Sequence, residues 1–166
     1  MPGRKTHLCV GAVAGTAMAA IEAKDQPNAH FWIETLGGAL GGCAGGIFPD
    51  LLEPAVCSWH RGFCHSATAG GAALYMHAML AEWAKICRQR ADQSRIVPLV
   101  EDLRTNTWIP LPRSPMQQAI AQMAEFFWRF LAGCLNGLAA GYVSHLVLDA
   151  GTPRGIPLLA GSQFFS

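Results

Sequence analysis

Six residues spread along this chain are types that hold metal ions: His7, Asp50, His60, His65, His145 and Asp149. The densest local group is His60-Arg61-Gly62-Phe63-Cys64-His65-Ser66. Its two imidazoles flank a glycine that permits a tight turn, so both rings can converge on one ion. Ser66 is a side chain that caps a following helix. A second group is Ser144-His145-Leu146-Val147-Leu148-Asp149. A spacing of four sets imidazole and carboxylate on one helical face, where both can ligate, or Asp149 can accept from the His145 ring and orient it. Phe48-Pro49-Asp50 closes a glycine-rich apolar run, and His7 opens another. Alone, each piece is as easily a solvated turn as a ligand; together they propose a metal centre. Four imidazoles with two carboxylates suit zinc, as one ion or two, with manganese and iron as rivals, and not the all-oxygen shell preferred by magnesium or calcium. Such an ion lowers the pKa of water and polarises a carbonyl or phosphoryl oxygen, which is hydrolytic chemistry. Glu53 or an unligated aspartate, Asp149 included, can take the proton. Arg61 can grip an anionic group of the substrate.

Residues so far apart need long elements to bring them together. Four apolar stretches offer these: residues 8–23, 31–48, 66–84 and 130–148, each close to the length that crosses a hydrocarbon core. Half of the residues are apolar (51%) and 14% are charged, against roughly a quarter charged in soluble domains, although mean hydropathy is only +0.24. Residues 36–47 read LGGALGGCAGGI, which aligns Gly37, Gly41 and Gly45 on one helical row and Gly38, Gly42 and Gly46 on the next; Gly133, Gly137 and Gly141 repeat the spacing. In water each such glycine disfavours a helix by about 1 kcal/mol relative to alanine. In lipid the same rows let helix backbones touch. The expected fold is therefore all-α: a single domain over residues 1–166, a polytopic membrane bundle of about four spans. The charged start MPGRKTH and its apolar sequel look like a signal peptide, but no convincing cleavage site precedes Glu22 to Asp25, so the segment reads as a retained first helix.

Residues 85–118 carry six arginines and lysines and four prolines and read as a long basic loop, with a short amphipathic piece around 96–103. Residues 117–129 either continue into the fourth span or lie along the interface with Phe126, Phe127 and Trp128 at headgroup depth. With four spans, all six candidate ligands fall on one side. That side holds four basic residues (Arg4, Lys5, Arg61, Arg154) and the other holds the remaining eight of twelve. Positive charge favours the cytoplasm, which turns the ligands towards the periplasm. The six cysteines form no CxxC pair and read as free thiols. The net charge of +1, without a basic, aromatic-laced patch, argues against nucleic acid as a partner. Membrane lipid and a small-molecule or lipid-borne substrate are the partners expected.

The order of these pieces resembles a known family, the LexA-regulated, membrane-bound metal-dependent hydrolases, which are small bacterial inner-membrane proteins. The resemblance rests on His7, Pro49-Asp50, the His60 to Ser66 run, and Gly141-Tyr142-Val143-Ser144-His145-Leu146-Val147-Leu148-Asp149-Ala150-Gly151-Thr152-Pro153 with Gly155-Ile156-Pro157-Leu158-Leu159. It implies that these histidines and aspartates are the metal ligands. Two positions depart from the pattern: Leu52 and Glu53 stand where the family tends to have a second aspartate and a histidine, and Cys64 stands where threonine is common. A transporter or metal-handling membrane protein, with the same cluster passing an ion along His77, Glu82 and Asn136, is the first alternative. A structural subunit that binds metal for folding is the second.

Overall fold

The structure is a computed structural model and describes residues 3–53 and 64–152. It contains four long helices, α1 (Arg4–Glu22), α2 (Asn28–Leu52), α3 (Ala67–Arg95) and α4 (Pro115–Ala150), with one antiparallel hairpin, β1 (Leu99–Asp102) and β2 (Thr107–Pro110), between the last two. The starts of α3 and α4 have a local cause. Ser66 accepts a hydrogen bond from the Ala69 amide (3.1 Å) at the head of α3, as its place before an apolar run predicts. Ser114 caps α4 reciprocally with Gln117, and Pro115 occupies the first turn, where a missing N–H costs nothing.

The basic loop expected over 85–118 is helical as far as Arg95, because Cys87 and Ala91 are buried on its inner face and Arg88 reaches a buried partner. The short piece around 96–103, expected to be amphipathic, contains strand β1, which buries neither face. Residues 99–102 pair with 107–110, register Leu99↔Pro110 to Asp102↔Thr107, across a turn in which Asn106 adopts φ 53°. Asparagine tolerates that left-handed conformation, and the Asp102 carboxylate accepts from the Arg104 amide (3.0 Å) and the Thr105 hydroxyl (2.9 Å). The same bonds hold the Asp102 carboxyl below its ordinary pKa. Residues 117–129 continue into α4, the first of the two courses open to them.

The glycine rows make the bundle. On α2, Gly38, Gly42 and Gly46 face α1, and Gly37, Gly41 and Gly45 face α4. A Cβ on Gly41 would stand 2.1 Å from the Cys134 carbonyl oxygen, and one on Gly15 would stand 2.2 Å from that of Gly38. Three helices thus meet backbone to backbone, which only glycine allows. α3 leans on α4 alone among the helices, through Ala84, Cys87 and Ala132 with Trp128, Leu131 and Leu135.

Burial is inverted relative to a water-soluble bundle. The largest fully buried side chains are His65, His145, Glu34, Asn136, Pro49 and Ser66, and none is a large hydrophobe. Leu8, Val13, Trp32, Leu36, Leu40, Leu74, Met79, Trp83 and Val147 all face outward. So many exposed apolar side chains mark a surface made for something other than water. By length and hydropathy α4 passes as a membrane span; the other helices fall short of that measure. At the end of the bundle remote from the ligands, Glu34 is completely buried and pairs with Arg88 (2.8 Å) and Arg129 (3.2 Å), while Arg129 also reaches Gln26 (2.9 Å) and Asp92 (2.5 Å).

Candidate metal centre

The helix ends place the ligands. His7 lies in the second turn of α1 and Asp50 in the last turn of α2, which runs on past Pro49 to Leu52 instead of stopping at Phe48. His65 sits in the turn that leads into α3, and His145 and Asp149 occupy one face at the end of α4. His65 and His145 are fully buried, His7 and Asp149 nearly so (2% each).

Their outer contacts determine which way each ring points. His145 Nδ1 lies 2.6 Å from the Gly46 carbonyl, in the turn that Pro49 disturbs. A carbonyl only accepts, so Nδ1 carries the proton and Nε2 of the neutral ring presents a lone pair. His65 Nδ1 lies 3.1 Å from Glu53 Oε2, which in a neutral ring places its lone pair on Nε2 as well. Glu53 is itself held by the Cys64 amide on Oε1 (3.0 Å). The two Nε2 atoms stand 3.1 Å apart, a distance bridged either by a proton on one of them or by a cation between both.

Two carboxylates complete the focus. Asp50 Oδ1 lies 3.3 Å from His65 Nε2 and 3.7 Å from His145 Nε2; Asp149 Oδ2 lies 3.7 Å and 3.6 Å from the same two atoms. Ligands at zinc distances of roughly 2.0–2.2 Å around a tetrahedral ion stand roughly 3.3–3.6 Å from one another. The five separations, 3.1 to 3.7 Å, bracket that range. The donor set therefore fits a divalent cation in chemistry and in spacing. His7 joins from the other side: its ring stacks on His145 at 3.8 Å, its Nε2 is 3.5 Å from Asp149 Oδ1, and its buried Nδ1 has no partner among the described residues. Asp50, His65 and His145 form one ligand group, and His7, His145 and Asp149 form a second that shares His145 with it, which leaves room for one ion or two.

His7, Asp50, His65, His145 and Asp149 are thus brought together, with Glu53 behind the His65 ring. His60 and Arg61 lie outside the described residues. His77, far along α3, belongs to neither ligand group. Burial and the Glu53 carboxylate raise the Cys64 thiol above its ordinary pKa. Sequence reasoning assigned no role to Tyr142, whose hydroxyl donates to the Cys64 carbonyl (2.7 Å) and ties α4 to the turn that carries His65. It also missed the Gly46 carbonyl, since nothing in a glycine row distinguishes the one oxygen that a distant imidazole reaches.

An all-helical bundle with apolar outer faces and a buried His/Asp cluster at one end defines a membrane-type helical protein with a candidate metal centre. The family model described as YdjM inner membrane protein matches residues 1–161, and the chain belongs to that family. No curated protein and no solved structure matches it.

Proposed function

We propose that this protein is a membrane-embedded, metal-dependent hydrolase, carried by one observation above all: three donor atoms, Asp50 Oδ1 and the Nε2 atoms of His65 and His145, converge within 3.7 Å of one another, which leaves the fourth position of a tetrahedral ion to water. Zinc is the ion the set suits best, with manganese and iron as rivals. When bound, the cation would supply a Lewis acid and water of lowered pKa. The chain does the rest. Glu53 and the Gly46 carbonyl hold His65 and His145 in the tautomer that exposes Nε2, and Glu53 is on this reading a positioning residue more than the general base. Asp149 spans both imidazole groups and is the carboxylate placed to take a proton from the attacking water, with His7 on its other oxygen. Arg61 is assigned to anion binding by its place in the sequence beside His60.

We read all four helices as spans. On α4, Arg129 and Asp149 are twenty residues apart, about 30 Å of helix and one hydrocarbon thickness. Outward Leu36 and Leu40 of α2 and Leu74 and Trp83 of α3 lie between the two polar ends. The hydropathy of α1 and α2 is diluted by the glycines and buried polar groups that pack them, and that of α3 by Tyr75, His77 and Glu82. The distribution of basic residues turns the ligand end to the periplasm. Elemental analysis of the detergent-purified protein, followed by hydrolysis of generic phosphoester and carboxylic ester substrates with and without chelator, tests the reading. About one or two ions per chain with chelator-sensitive turnover is expected. Metal without turnover favours the alternative of a metal-handling membrane protein, for which the fully buried Asn136, with neither amide atom partnered among the described residues, offers a polar group between the two ends.

A further inference from the structure

α2 and α3 are joined at their two ends and separated in between. At one end Arg88 pairs with Glu34, and at the other His65 meets Asp50 and Glu53. Between those polar ties the two helices make no backbone-level contact, and α4 forms the floor of the gap. The gap is a cavity of about 150 Å³, bounded by Phe48 of α2, Ala73, Met76 and Leu80 of α3, and Tyr142 of α4. The Tyr142 hydroxyl is the polar side-chain atom among its lining residues, and it is directed to the Cys64 carbonyl. Phe48 and Met76 are about half exposed at its mouth, so it opens sideways.

Its position relative to the ligands is specific. Phe48 precedes Asp50 by two residues and Tyr142 precedes His145 by three, each within about 5 Å of rise along its helix. Leu80 lies fourteen residues beyond Ser66, about 21 Å deeper. An apolar slot therefore begins under the candidate metal centre and runs towards the middle of the bundle. Water has nothing to bond to there, whereas apolar cavities of this size accept a guest of about six carbons.

We infer that this slot holds one acyl chain of a lipid ester whose headgroup lies at the metal centre. The inference rests on the hydrolase reading and names its substrate class. Hydrolysis needs water alone as co-reactant: its oxygen bonds to the phosphorus or carbonyl carbon, the ester bond breaks, and the proton passes to the departing oxygen. The slot fixes the chain, and the chain fixes which ester bond meets His65 and His145.

The protein in phosphatidylcholine nanodiscs, doped with a phosphatidylglycerol that carries a diazirine midway along one acyl chain, tests this without turnover. After photolysis, adducts are expected at Phe48, Met76 and Leu80 in excess of those at the outward Val13 and Leu36. Ala73→Leu and Met76→Trp, which narrow the slot, should each remove that excess while bound metal is retained. Equal labelling of slot and outer faces in the wild type overturns the proposal. In turnover, the ratio of kcat/KM for a long-chain over a short-chain phosphate ester should fall about tenfold in both variants, the scale set by one misfitting methylene in an apolar pocket. A ratio unmoved in two folded, metal-loaded variants also overturns it. If no ester is cleaved by any form, the hydrolase reading fails while the labelling still decides the slot.

Discussion

The bundle buries ionisable side chains at both ends, and the two ends solve the problem differently. At the Glu34 end, each buried charge meets an opposite charge: Glu34 takes Arg88 and Arg129, and Arg129 continues to Asp92. Guanidinium groups only donate and carboxylates only accept, so the charges here balance without any further ion, although the buried Arg129 Nε has no hydrogen-bond partner among the described residues. At the His145 end, the described groups that converge are imidazoles and carboxylates, with no guanidinium or ammonium among the described residues that meet there. The Nε2 atoms of His65 and His145 lie within 3.7 Å of each other and of carboxylate oxygens of both Asp50 and Asp149, with Nδ1 of each ring turned to Gly46 or Glu53. The contrast separates a cluster that ties helices together from one that could hold a cation.

Removing a member from each end sharpens that contrast. His145→Ala, the ligand shared by both groups, should abolish bound metal in elemental analysis, whereas His77→Ala should leave it unchanged; equal loss from both would refute the site. Gly41→Leu should prevent folding of the bundle, read as loss of monodisperse protein in detergent, since the first added carbon lands on the Cys134 carbonyl. Arg129→Leu should lower stability by about 1.5–3 kcal/mol, the scale of a lost charge-assisted hydrogen bond, since Glu34 keeps Arg88. Bound metal should persist in whatever fraction stays folded, which distinguishes the tying cluster from the binding one.

Two smaller changes test how the rings are held. Glu53→Gln keeps the size but offers His65 Nδ1 a weaker acceptor, and metal affinity measured by competition with a chelator should fall about 10–100-fold. A loss as complete as that of His145→Ala would instead make Glu53 a ligand. Tyr142→Phe removes one hydrogen bond to the Cys64 carbonyl and should lower the thermal midpoint by the equivalent of about 1 kcal/mol, with metal stoichiometry unchanged.

Much of this was legible in the residues themselves. The glycine rows announced the close-packed helices, Ser66 announced the start of α3, and the spacing of His145 and Asp149 placed both on one face. The apolar run of α3 ends well before its helix does. Arg88 and Arg129 looked like loop or surface charges, because the partner that draws them inward, Glu34, is more than fifty residues away in sequence. The single carboxylate inside residues 31–48 was the available signal.

Local periodicity determined the helices, their small-residue faces and the ends at which ligands gather, since these depend on neighbours within four residues. Tertiary structure alone decided that the Nε2 atoms of His65 and His145 oppose each other, that Glu53 stands behind one ring and a glycine carbonyl behind the other, and that a slot separates α2 from α3. Those features depend on where helices cross and which way side chains turn at the crossing, and contacts up to 99 residues apart set both.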